Sequence, residues 1–134
     1  MKNKIVSLIL VIIWMVIIFI LSSFDATSSS GQSGIIVNFI SSITNIDNLS
    51  LLSKIVRKLA HFTEYIILGL LVCNLIKNYD KKTYIAIIIC ILYAVSDELH
   101  QILVPGRSCQ ILDILIDSLG SILGIFTLNS IRNK

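Results

Sequence analysis

TYIAIIICILYAVSDELHQILV, residues 83–104, is unbroken apolar sequence from Tyr84 to Val95 and then turns polar at Ser96, Asp97, Glu98, His100 and Gln101. As a helix rising 1.5 Å per residue it is ~33 Å long, which matches the ~30 Å hydrocarbon layer of a bilayer. The rest of the chain agrees with that reading. It has 134 residues, of which 55% are hydrophobic and 14% charged, with a mean hydropathy of +0.90 and 28 isoleucines. An average soluble domain carries about 25% charge. A soluble domain this small could not hide so much apolar surface inside itself, so the bilayer is the expected solvent. Disorder, a secreted disulfide scaffold and a cytosolic nucleotide-binding domain are excluded, and the length leaves room for about four spans of about 20 residues.

Three further apolar runs flank the first. Residues 5–21 are apolar apart from Ser7 and follow Lys2 and Lys4. Their ~26 Å of helix exceeds the usual core of a signal peptide, so a retained span is expected. Residues 22–34, SSFDATSSSGQSG, are turn-rich. Ile35, Ile36, Phe39, Ile40 and Ile43 then recur at helical spacing, which predicts a short amphipathic helix on the membrane surface within the first outer loop. A second span is predicted over 57–76, the third over 83–104 and a fourth over 111–128. The short basic turn from Lys77 to Lys82 makes spans two and three antiparallel neighbours, and Pro105-Gly106 stops span three. Gly120 and Gly124 give the GxxxG spacing that lets helix backbones approach, within the bundle or against a second copy of the chain. The predicted fold is thus an all-α integral membrane bundle of four transmembrane helices forming one domain.

Basic residues in the flanks set the orientation. Lys2, Lys4, Lys77, Lys81, Lys82, Arg132 and Lys134 fall on one side, against Lys54, Arg57, Lys58 and Arg107 on the other. Seven against four predicts N-in, C-in. The basic residues edge the apolar runs instead of forming one stripe, so the net charge of +3 reflects topology and not a nucleic-acid partner. Cys73, Cys90 and Cys109 make no CxxC pair, and the two inside apolar runs read as packing residues.

Counted inward from the outer helix ends at 1.5 Å per residue, His61 lies ~6 Å deep, Glu64 and Asp97 ~10 Å, His100 ~6 Å, Asp113 ~3 Å and Asp117 ~9 Å. Helical spacing places Arg57, His61, Glu64 and Tyr65 on one face of span two. Asp97, His100 and Gln101 share a face of span three, and Asp113 and Asp117 share one of span four. One buried histidine or acid is usually a structural contact. Glu64, Asp97, Glu98, Asp113 and Asp117 with two histidines and an arginine in one layer exceed what packing needs, because interhelical polar contacts average only about 0.6 kcal/mol. Ionisable groups inside spans point by default to a functional site facing the bundle interior. His61-x2-Glu64 and Asp97-x2-His100 have the (i, i+3) spacing with which bundles hold metals. The absence of a thiolate from the layer and the neighbouring cations weigh against a bound metal, and no cofactor is expected. No GxSxG elbow, phosphate loop or dinucleotide fingerprint occurs.

The motif Lys58-x2-His61-Phe62-x-Glu64-Tyr65-x3-Gly69, then Asp97-Glu98-x-His100-Gln101-x3-Pro105-Gly106-Arg107, then Asp113-x3-Asp117-x2-Gly120-x3-Gly124, resembles the VanZ-like family of small bacterial membrane proteins. The likeness runs from about residue 54 to 124. It departs at Asp117, where an asparagine is often found. The resemblance implies the bacterial cytoplasmic membrane, the cell envelope and a link to low-level resistance toward teicoplanin-type glycopeptide antibiotics, with no defined reaction.

Three functions fit these residues. In the first, Arg57, Lys58 and Arg107, with Tyr65, Gln101, Asp113 and Asp117, hold an anionic envelope lipid or lipid-linked glycan precursor, while His61, Glu64, Asp97, Glu98 and His100 supply acid and base. In the second, the polar layer only locks a non-catalytic scaffold or masking module. The third, a proton-coupled carrier, requires ionisable groups on through the inner halves of spans two to four, and those hold only Asn74, Thr83, Cys73, Cys90 and Thr127.

Overall fold

The computed structural model describes residues 2–23, 49–77 and 81–132. They form four helices with no strand among the described residues: α1 Lys2–Ser22, α2 Leu49–Leu75, α3 Lys82–Gln101 and α4 Ile111–Arg132. The predicted surface helix at 35–43 lies outside the described residues. Three helices, α1, α3 and α4, are long and apolar enough to cross a membrane. Their outward faces carry Ile9, Ile13, Leu92, Leu119 and Leu123, all exposed and all suited to lipid.

α2 differs most from its expected bounds of 57–76. It starts eight residues earlier, and its 27 residues make ~40 Å of helix, more than the ~30 Å hydrocarbon layer. Arg57 and Lys58 suggested a boundary because charge is costly in lipid, but helix continuity does not require lipid. Leu52 in the added turns packs into the bundle. α2 is also not among the helices apolar enough to qualify as a span by themselves. The reason is position: it packs against each of the other three helices, most extensively α4, and so stands at the centre, where polar groups are shielded.

α3 stops at Gln101 and not at Val104. Ile102, Leu103 and Val104 each donate a backbone N–H to the carbonyl three residues back, so the chain tightens into turns before Pro105. Gly106 then takes φ 75°, a left-handed conformation open to glycine, and Arg107 N–H bonds back to Val104 O.

The α2–α4 seam rests on small residues. A side chain added at Gly120 would strike the Phe62 carbonyl, one at Gly124 the Ile66 carbonyl, and one at Gly69 the Ser121 backbone. The face of Gly120 and Gly124 offered to a second copy is therefore filled by α2 of the same chain. Around this seam a core of Ile18, Tyr65, Leu68, Val72, Ala94 and Ile125 is fully or almost fully buried, with Cys73 and Cys90 inside it as the packing residues expected.

Polar contacts collect at the two ends of the bundle. At one, Asn74 donates to Ser7 Oγ at 3.3 Å and accepts from Arg132 at 2.6 Å, and Asn129 donates to Thr83 Oγ1 at 3.1 Å. The other end holds the ionisable layer.

Candidate functional site

The layer is built where the C-terminal ends of α1 and α3 meet the N-terminal halves of α2 and α4. The sequence favours this through helical repeats: Arg57 and Lys58 lie one turn before His61 on α2, and Asp113 and Asp117 lie one turn apart on α4. Between them is a cavity of about 350 Å³. Its buried floor includes Glu98, Gln101 and Asp117, with His61 beside them. Lys54, Arg57, Lys58 and Arg107 stand around it at more exposed positions. The chamber thus carries basic side chains at its rim and carboxyl groups at its base.

Individual partners fix the walls. Lys58 Nζ makes an ion pair with Asp113 Oδ1, joining α2 to α4. Glu98, 1% exposed, accepts the backbone N–H of Gln110 at 3.0 Å, so the loop carrying Arg107 is tied to α3. Asp97, 2% exposed, accepts the Ser22 hydroxyl at 2.6 Å through Oδ1. His61 Nδ1 faces Glu64 Oε2 at 3.3 Å, in ion-pair range but too bent for a hydrogen bond. One donor atom each from His61, Asp97 and Asp117, residues of three different helices, lies within 4.8 Å of the other two.

The predicted site residues divide accordingly. Arg57, Lys58, His61, Glu98, Gln101, Arg107, Asp113 and Asp117 all line the cavity. Asp97 does not line it but adjoins His61 and Asp117. Glu64 stands behind His61. Two residues fall elsewhere. Tyr65 is wholly buried in the core, its ring 6.1 Å from that of Tyr93. His100 turns toward α1, its ring 4.2 Å from Phe19 and its Nε2 3.0 Å from Ser23 Oγ. The expected Asp97–His100 pair is therefore replaced by contacts of each residue with the end of α1. The cause is that the C-terminal end of α1 covers this face of α3 and offers the hydroxyls of Ser22 and Ser23 to Asp97 and His100 in turn.

The sequence places Lys54 on the same side as the site without assigning it a role there, and it does not reveal Ser22 or Gln110. Lys54 could have been found by extending the helical face of Arg57 and Lys58 back one turn. Ser22 was assigned to the turn-rich stretch, and nothing in its local sequence signals a carboxylate partner. Gln110 acts through its backbone, which side-chain identity does not reveal.

A family model described as VanZ/LLP1 matches residues 7–132. No curated protein and no solved structure matches the chain.

Proposed function

Because this chain belongs to the VanZ-like family, whose model covers nearly all of it, we propose that it binds the anionic headgroup of a cell-envelope lipid or lipid-linked glycan precursor in the cavity between α2, α3 and α4. One observation carries the reading: a chamber of about 350 Å³ at a helix end, rimmed by Lys54, Arg57 and Arg107 and floored by buried polar groups. Cations at that level suit phosphate or carboxylate oxygens, and a planar guanidinium can hold two of them at once. Arg107 is placed for this by the Pro105-Gly106 turn and by the Gln110–Glu98 bond behind it.

In this reading all four helices cross the bacterial cytoplasmic membrane with both termini inside, and α2 is admitted because its polar face is covered by the others. The cavity then opens at the outer leaflet. His61 and Glu98 are the groups positioned to exchange a proton with a bound headgroup. Tyr65 and His100 support the frame. The link to teicoplanin-type glycopeptides follows from the family, since a protein that holds an envelope precursor acts on the same pool of molecules as those antibiotics.

A non-catalytic masking module is the second reading, favoured by the internal pairing of Lys58 with Asp113 and Ser22 with Asp97, which locks the bundle. Binding of a polyprenyl-phosphate lipid to purified protein in nanodiscs tests the main reading. Arg107→Ala and Arg107→Lys are each expected to weaken binding about tenfold or more, because charge-assisted hydrogen bonds contribute about 1.5–3 kcal/mol and lysine lacks the fork. Unchanged binding in Arg107→Ala overturns the proposal. Full binding with resistance intact in His61→Gln and Glu98→Gln favours the masking module.

A further inference from the structure

We infer that His61, Asp97 and Asp117 form a site for one divalent cation of the Zn²⁺ or Mn²⁺ class at the inner wall of the cavity. The three residues come from α2, α3 and α4, and a donor atom of each lies within 4.8 Å of the other two. Donors bound to such an ion lie about 2.0–2.2 Å from it, so tetrahedrally placed ligands stand about 3.4–3.6 Å apart. Side-chain rotations that draw the three atoms in by up to about 1 Å bring them onto one ion.

A second observation points to a ligand independently of the clustering. Asp97 is 98% buried by its 2% exposure, its Oδ1 is occupied by the Ser22 hydroxyl, and its Oδ2 has no hydrogen-bond partner among the described residues. The Gln101 amide also lies close to this carboxyl, but a buried carboxylate oxygen that no well-aligned donor meets is costly, and a cation shared with His61 and Asp117 would satisfy it. Asp117 beside it is equally buried. Two neighbouring buried carboxylates repel as anions, and one divalent cation with a neutral imidazole makes the group electrically neutral, the form least penalised at low dielectric.

The surroundings match those of a metal site. Metal-bound histidines are oriented by a carboxylate or carbonyl on their other nitrogen, and Glu64 Oε2, 3.3 Å from His61 Nδ1, needs only a ring rotation to make that bond and give Nε2 to the ion. Ligating carboxylates are themselves hydrogen-bonded, as Asp97 is by Ser22. The geometry reverses the expectation drawn from the missing thiolate, because an imidazole with two carboxylates is a sufficient donor set for Zn²⁺ or Mn²⁺, whereas Ca²⁺ takes six to eight oxygens and Mg²⁺ binds few protein groups. Three protein ligands leave positions open, and His61 and Asp117 both line the cavity. The cation's role there, accepting a headgroup phosphate oxygen opposite Arg107, rests on the lipid-binding reading; its presence does not.

The test is metal binding by the full chain in nanodiscs, stripped with chelator, re-equilibrated with Zn²⁺ or Mn²⁺ and washed, with bound metal read by mass spectrometry and fold by circular dichroism. The wild-type chain is expected to hold one equivalent. His61→Gln, Asp97→Asn and Asp117→Asn should lose it, and Glu64→Gln, which removes only the orienting charge, should weaken it 10- to 100-fold. A wild-type chain that stays folded yet holds no stoichiometric metal overturns the inference, as does metal retained unchanged in Glu64→Gln and Asp117→Asn. If the ligand variants do not fold, wild-type stoichiometry and Glu64→Gln decide. Polyprenyl-phosphate binding, measured with and without chelator, separates the two proposals. Lipid bound by metal-free protein that takes up no metal refutes the cation alone, and metal bound without lipid refutes the headgroup reading alone.

Discussion

Replacing Gly124 by alanine adds one methyl where α4 already touches α2. That carbon would fall within the Ile66 carbonyl and close to Leu70 N, both backbone, so no side-chain rotation relieves it. The helices must part by about 1 Å to restore ordinary contact, and a gap of 0.5–1 Å forfeits about a quarter to a half of each van der Waals well at the seam. With some 30 atom pairs at about 0.15 kcal/mol each, the loss is about 1–2 kcal/mol, to which strain adds within the usual 1–3 kcal/mol of overpacking. Alanine returns up to about 1 kcal/mol of helix propensity, leaving a net destabilisation of about 2 kcal/mol. Denaturant unfolding in bicelles can read this through Trp14, the single tryptophan, whose indole N–H bonds to Glu64 O at 2.9 Å and reports docking of α1 on α2. Ser130→Ala, on an exposed position of α4, is the control and should stay within about 0.5 kcal/mol of wild type. Gly124→Ala falling within that same margin would refute the close-contact seam.

Two other outcomes are expected. Ser22→Ala removes the donor to Asp97 and should destabilise the protein by about 1–3 kcal/mol in the same unfolding assay, with Ser22→Thr restoring most of it; equal stability of all three would show that the bond is dispensable. Cys109 is exposed at the cavity end whereas Cys73 and Cys90 are buried, so a membrane-impermeant maleimide should label intact cells through Cys109 and fail on Cys109→Ser, and labelling only after lysis would reverse the proposed orientation.

The hydrophobic run lengths carried the helices, and helical periodicity carried most of the cavity lining, because both depend on local sequence. Periodicity places Gln101 and Asp117 in this way, and likewise Arg57 and His61 on α2. What failed depended on how each helix is rotated against its neighbours. His100 shares a broad face with Asp97, but the end of α1 covers that face and His100 packs against Phe19. The small residues of α4 signalled a close approach without naming the partner, since GxxxG suits an intrachain seam and a dimer equally. The start of α2 was misplaced because charge was used to mark the edge of a helix when it marks only the edge of the lipid.

The central place of α2 also bears on how the protein is made. Asp113, the partner of Lys58, and the carbonyl-hugging glycines that seat α2 belong to α4, which leaves the ribosome after α3. In the proposed topology the polar face of α2 is costly to insert as an isolated helix, so its crossing is expected to be poorly tolerated until that later segment arrives. On that topology, insertion of α2 is expected to lag its synthesis and to coincide with completion of the cavity. A chain truncated before residue 111 would lack the surface against which α2 settles, and membrane quality control would meet it as an orphaned polar helix.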